Sequence, residues 1–305
     1  MENVMQVISK RISVRTYDNS KPVEPEALNR MQELVHNSHT GPFGNPVRFR
    51  LLYLGELSRR ELRRLGTYGF IQGASYYLLG AVPDREGNME DLGYCMEKII
   101  LEATALNLGT CWLAGTFRRS SFARQICLNQ GELLPAVTPV GYPDSQKSLL
   151  ERMMKAGAGS RRRKSWEQLF FNNDEQTPLT EEDAGVYRDA LEAVRLAPSA
   201  ANRQPWRFLK KGEGEFYLYL KENLLFNRAM GKIRTQNIDM GIAMCHFELV
   251  AKEKGLNGVW KKDTVEPTAT KAGGEVPEKI DTDTATETGV PSLPGCSYIV
   301  GWKEF

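Results

Sequence analysis

Arg11-Ile-Ser-Val-Arg15 sets two arginines and a serine at alternate positions of one short segment. On an extended backbone alternate side chains project to one side, so the two guanidinium groups and the hydroxyl could grip a phosphate or a polyhydroxyl chain. A solvated basic turn accounts for the same five residues, and by itself this motif leaves both open. Ala197-Pro-Ser-Ala-Ala-Asn-Arg-Gln-Pro-Trp206 is longer and more specific. It leaves a helix at Pro198, offers Ser199, Asn202 and Gln204 as hydrogen-bonding side chains, and enters a strand through a tight Gln-Pro-Trp turn. A side-chain amide donates and accepts together, which suits the edge of a planar heterocycle. The same groups could instead satisfy their own backbone.

Two further segments have chemical potential. In Asn107-Leu-Gly-Thr-Cys-Trp-Leu-Ala-Gly115 the glycines let backbone N–H groups approach a ligand closely, or form an ordinary turn with Trp112 in the core. Arg161-Arg-Arg-Lys164 is either a phosphate clamp or a solvated charge run. Metal chemistry has little support: the histidines are His36, His39 and His246, and no C-x-x-C pair exists. The five cysteines are widely spread and odd in number, which reads as buried free thiols in a reducing compartment.

The elements that must position these residues repeat along the chain. Asp91-Leu-Gly-Tyr-Cys-Met96 registers on Asp239-Met-Gly-Ile-Ala-Met244, and the same register pairs Leu101 with Leu249, Ala103 with Ala251, Leu108 with Leu256 and Trp112 with Trp260. Asn45-Pro-Val-Arg-Phe49 matches Gln204-Pro-Trp-Arg-Phe208, and Val140-Gly-Tyr142 matches Val300-Gly-Trp302. Each half reads helix, Pro-containing loop, strand, long helix, final strand. Periodicity predicts helices over about 25–37, 89–107, 180–195 and 237–254, each long one stopped by a residue that tolerates the left-handed conformation. Strands are expected at 49–54, 76–82, 136–141, 207–209, 216–220 and 298–302. Mixed strands with long helices on their faces indicate an α+β layered fold of two repeats, 1–160 and 161–305.

Bulk properties narrow the partners. A net charge of +2 gives the whole molecule no bias toward nucleic acid or an anionic membrane, so any anion site must be local. No stretch approaches a transmembrane length, the N-terminus lacks a secretory pattern, and a cytoplasmic location is expected. Residues 263–290 are rich in Thr, Glu, Pro, Ala, Asp and Gly, and are expected to form a disordered or poorly ordered insertion.

Together the four segments resemble the nitroreductase family of flavoproteins over nearly the whole chain except the insertion. The likeness is strongest to its subgroup with two degenerate repeats. The resemblance implies a nitroreductase-like fold in which the tandem repeats form an intramolecular pseudo-dimer, monomeric as a chain. It implies that Arg11, Ser13 and Arg15 hold the ribityl-phosphate end of FMN, while Arg163 and Lys164 return to the phosphate. Pro198, Ser199, Asn202 and Gln204, which the family supplies from the other subunit, would meet the isoalloxazine ring and ribityl chain. Leu113, Ala114 and Gly115 would lie against the flavin.

The first half keeps R-x-S-x-R but its Pro-rich loop has decayed to His39-Thr-Gly-Pro-Phe-Gly-Asn-Pro46, whereas the second half keeps only the Pro-rich loop. One FMN per chain is the expectation. The implied activity is ping-pong oxidoreduction through flavin N5, with NADH or NADPH as transient donor and a nitroaromatic, quinone or flavin as acceptor. No catalytic side chain is assigned, and no Rossmann fingerprint is present. A flavin-binding or sensing module without turnover is the alternative, and a flavin-free protein a third.

Overall fold

The computed structural model describes residues 3–37, 39–56, 66, 70–115, 117–144, 162–173, 177–223, 232–263, 290 and 293–305. The boundary expected at 160/161, residue Arg161 and nearly all of the expected insertion lie outside the described residues.

The described residues form two five-stranded sheets. The first contains β1 (His39–Thr40), β2 (Pro46–Tyr53), β3 (Tyr76–Pro83), β4 (Gly109–Thr110) and β5 (Glu132–Gly141), in the order β1-β2-β3-β5-β4. The second contains β6 (Phe170–Asn172), β7 (Trp206–Gly212), β8 (Glu215–Leu220), β9 (Gly258–Lys261) and β10 (Ser297–Glu304), in the order β6-β7-β8-β10-β9. Their ladders are antiparallel except at β6, which runs parallel to β7.

Strand periodicity sorts the side chains between cores. In β3, Leu78 and Val82 join the main core, while Tyr77, Leu79 and Ala81 face a smaller one with Phe117, Phe122 and Ile126. β8 does the same: Phe216, Leu218 and Leu220 enter the main core, and Tyr217 and Tyr219 pack with Leu209 and Leu293.

The main core is built around two long helices, Asn88–Ala105 and Thr235–Glu253, which are buried around most of their circumference. Each packs against the other and against its own sheet, the first on β3 and the second on β7 and β8, so apolar side chains on several faces and a few paired polar ones are all enclosed. The two helices cross where Gly93 meets Gly241. A Cβ on Gly93 would sit 2.1 Å from the Ile238 carbonyl oxygen, and one on Gly241 would sit 1.9 Å from that of Glu90. Only glycine lets the two backbones come this close. Both helices end alike: Asn107 (φ 59) and Gly255 (φ 79) turn left-handed, and Leu108 N–H and Leu256 N–H donate back to Ala103 and Ala251 at 2.8 and 2.9 Å. These are helix stops of the Schellman type.

Two expectations are corrected. The helix expected over 180–195 begins only at Arg188, after a 3-10 turn at Gly185–Tyr187. Gly185 takes φ +56, which an α-helix cannot contain, and Thr180 and Asp183 close a separate turn before it. Cys127, expected among buried thiols, is exposed, whereas Cys95, Cys111 and Cys245 are buried. Among the described residues no helix is long and apolar enough to cross a membrane.

Candidate functional site

The segment bearing Arg11, Ser13 and Arg15 leaves the helix Val4–Lys10 and runs beside the edge strand β4. Ser13 forms a parallel bridge with Thr110, and Val14 N–H donates to the Thr110 carbonyl at 2.8 Å. This lays the two arginines next to the chain that leads into Leu113, Ala114 and Gly115. Leu113 is buried and bridges to Val137, and Gly115 is exposed. Arg119 holds the turn from behind by donating to the carbonyls of Ala114 and Pro135.

Arg11 is buried, with its side chain only 5% exposed and its Nε 3.8 Å from Glu97 Oε1. Its Nε and Nη1 make no hydrogen bond. Arg15 is half-buried, lies 5.1 Å from the centre of the Phe70 ring, and has a buried Nε without a hydrogen-bond partner. A buried guanidinium N–H without an acceptor costs free energy that a bound anion would offset.

The Pro-rich loop of the second half folds onto the basic segment. Arg163 donates from Nη1 to Asn202 Oδ1 at 3.0 Å and from Nη2 to the Leu196 carbonyl at 2.9 Å. Asn202 Nδ2 donates to the Arg162 carbonyl at 2.7 Å. Lys164 N–H donates to Gln204 Oε1 at 2.7 Å, and Lys164 Nζ donates to the Gln204 carbonyl at 3.2 Å. Gln204 N–H in turn donates to Ser199 Oγ at 2.8 Å, below half-buried Pro198. Ala201, Asn202 and Gln204 all have positive φ (50, 54 and 49). That region is unfavourable for Ala and Gln, so the hydrogen bonds to 162–164 and Ser199 must over-determine the loop. Its entrance is anchored by Asp239 on the second long helix, whose Oδ1 accepts from Ala200 N–H at 2.9 Å.

Gln204 departs from the expectation of a ligand-facing amide. It is buried, its oxygen is taken by Lys164, and its nitrogen donates to the Asn202 carbonyl at 3.0 Å. The side chain braces the loop.

The electrostatics tie the two halves together. Arg163 is pulled down to about 10, first by burial and then by the positive charges of Arg11 and Arg195. Lys164 is pulled down to about 8 by burial, then by Arg207, Lys221 and Arg203. Arg163 and Lys164, with the Asn202 and Gln204 side chains they hydrogen-bond, form one basic cluster, and the charge of Arg11 is felt at Arg163. Glu97 beside Arg11, Asp239 under the Pro-rich loop and Arg119 at the Ala114 turn carry no motif. A lone Asp or Glu on a helix gives no signal of what it will meet, although Asp239 and Asp91 fall at matching positions of the sequence.

Asp91 anchors the loop at 41–45 much as Asp239 anchors the Pro-rich loop. It accepts from Phe43 N–H and Asn45 N–H, both at 2.8 Å. The cleft beside that loop is lined by Pro42, Phe43, Glu86, Lys262 and Val300, and its lysine is paired with Glu86.

A family model described as putative TM nitroreductase matches residues 3–251. No match was found among curated proteins. Among solved structures, a putative nitroreductase from Thermotoga maritima is 21% identical, with 85% of this chain and 89% of that one covered at a TM-score of 0.54. An FMN-dependent nitroreductase from Clostridium difficile is 20% identical over 47% of this chain and 88% of its own, at a TM-score of 0.36. A nitroreductase with bound FMN from Bacteroides fragilis is 16% identical over 49% and 92%, at 0.36. The Thermotoga likeness is one of fold.

Proposed function

The chain belongs to the putative TM nitroreductase family, and from that premise we propose that it is an FMN-dependent oxidoreductase whose two fused halves hold one FMN. Bound FMN would supply the redox chemistry, taking electrons from NADH or NADPH and passing them to a small acceptor such as a nitroaromatic, a quinone or a flavin. As proposed, the chain acts in the cytoplasm as a monomeric pseudo-dimer of repeats 1–160 and 161–305.

The protein's part is to bind and orient. Arg11, Ser13 and Arg15 from the first half, with Arg163 and Lys164, would face the phosphate, which carries close to two negative charges. Pro198, Ser199 and Asn202 would border the ring and ribityl chain, Gln204 would keep their loop in its left-handed path, and Leu113, Ala114 and Gly115 would form the wall opposite. The supporting observation is the pair of buried Arg11 N–H groups that have no acceptor, together with the Arg163–Asn202 hydrogen bond that ties the Pro-rich loop to the basic segment. Arginine donors buried without an acceptor fit an anionic group better than they fit a finished protein core.

The cleft beside the His39–Pro46 loop fits a count of one. Its loop is tied to Asp91, and its cation, Lys262, is spent on Glu86. Absorbance of the purified protein should give about one FMN per chain, and a stoichiometry near two would overturn the proposal.

A second reading is a flavin-binding module without turnover. Anaerobic addition of NADH and then NADPH to FMN-loaded protein separates the two. Bleaching of the flavin absorbance supports the enzyme, and persistence of colour with both donors supports the module.

A further inference from the structure

Glu97 lies on the first long helix and His246 on the second, and both side chains are fully buried. Glu97 Oε2 accepts from Trp112 Nε1 at 2.7 Å, while Oε1 lies 3.0 Å from His246 Nε2. His246 Nδ1 lies 2.9 Å from the Ala193 carbonyl oxygen. A carbonyl only accepts, so Nδ1 carries a proton. The contact between Nε2 and Oε1 then needs one more proton, residing on the imidazole or on the carboxyl. In either arrangement the pair is electrically neutral.

This neutrality bears on Arg11. Among the described residues Glu97 is the carboxylate recorded against its guanidinium, at 3.8 Å, too long for a hydrogen bond. Were Glu97 an unmatched anion, it would form a full ion pair with Arg11 and satisfy that arginine inside the protein. The proton held with His246 prevents this. Arg11 keeps its charge, and its buried Nη1 keeps an open donor.

We infer that His246 is a positioning residue: from the opposite half it neutralises Glu97, and so keeps the charge of Arg11 available to a phosphate group. The inference rests on the cofactor reading above. It names a determinant of phosphate recognition that touches no ligand, and it gives the contact between the two long helices a role beyond packing.

The test compares FMN with riboflavin, which lacks the phosphate, and with inorganic phosphate. In His246→Gln the amide still donates to Glu97 but brings no proton, so Glu97 becomes the counter-ion of Arg11. FMN affinity then falls by about tenfold, and riboflavin affinity by less than about twofold, as expected for loss of a charge-assisted contact. The Glu97→Gln/His246→Gln double variant is neutral again and recovers FMN affinity, and Glu97→Gln alone retains it. Equal losses for both flavins in His246→Gln, or a double variant as weak as that single one, overturn the inference. Should His246→Gln fail to fold, Glu97→Gln decides: retained FMN affinity supports the inference and a loss of about tenfold overturns it. Inorganic phosphate gives a flavin-free arm, expected to raise the Tm of the wild type and the double variant but not of His246→Gln. That phosphate pattern in a wild type that binds no flavin sinks the cofactor reading and leaves the charge relation standing. An equal phosphate response in His246→Gln and wild type overturns the charge relation itself.

Discussion

Arg163 donates to the side-chain oxygen of Asn202 at 3.0 Å while Asn202 donates back to the carbonyl of Arg162 at 2.7 Å, so one amide closes the Pro-rich loop onto the basic segment. The backbone of Asn202 has φ 54, a conformation that Asn tolerates better than most residues. Asn202→Ala removes both hydrogen bonds and puts a less tolerant residue in the left-handed region. The expected loss of stability is about 1–3 kcal/mol, read as a fall in urea midpoint at constant m-value. A variant as stable as wild type would show that the loop does not depend on this amide.

Arg11→Ala and Arg15→Ala should each weaken FMN by about 1.5–3 kcal/mol if both make charge-assisted contacts with its phosphate. Calorimetric titration with FMN and riboflavin checks the assignment, because the phosphate-free flavin should lose much less. Arg15 also lies over Phe70, so its alanine variant removes a cation–π contact as well. Arg15→Lys, which keeps the charge without the planar fork, should fall between wild type and alanine.

The long helices, their left-handed stops and the strands at 76–83 and 215–220 were legible because periodicity and turn chemistry are local. The start of the helix at Arg188 was not, since apolar spacing runs straight through Gly185 and only its positive φ breaks the helix. Within the site, the Pro-rich loop stood out by composition, yet the sequence treated Gln204 as ligand-facing. Its buried orientation is decided by Lys164 N–H, a backbone donor forty positions away that no side-chain pattern marks. Glu97 and His246 were silent for the same reason. Each is a single residue on a long helix, and their meeting exists only once the two helices cross. His246 could be weighed as a metal ligand and set aside, but nothing local paired it with Glu97.

The crossing itself makes a stability prediction. Gly93→Ala and Gly241→Ala each improve helix propensity by about 0.8–1.0 kcal/mol, yet each forces a methyl group to within about 2 Å of a carbonyl oxygen on the facing helix. Overpacking of this kind costs about 1–3 kcal/mol, and more when the obstacle is backbone, so the clash should win. Both variants should unfold at lower denaturant than wild type. FMN affinity should fall too, because the helices set the spacing between the half that carries Arg11 and the half that carries Asn202. An alanine variant more stable than wild type would mean the helices do not pack at these glycines.

Lys164 gives a pH dependence whose sign can be worked out. Its ammonium group is pulled down to about 8 in the folded protein, chiefly by burial, against about 10.4 in an unfolded chain. Between these values the unfolded chain binds more protons at this residue than the folded one, so its contribution to stability rises with pH across that window. FMN binding should run the other way. The phosphate is already close to a dianion above pH 7 and favours the charged lysine, so affinity should decline from pH 7 through 8 to 9 as the free site loses its proton. Binding at pH 8 should also take up a proton from the buffer, which calorimetry in buffers of different ionisation enthalpy detects. Lys164→Arg keeps the charge throughout and should flatten the profile, while Lys164→Met should be weak and flat. If wild type and Lys164→Arg decline in parallel between pH 7 and 9, the titrating group lies elsewhere and Lys164 does not face the phosphate.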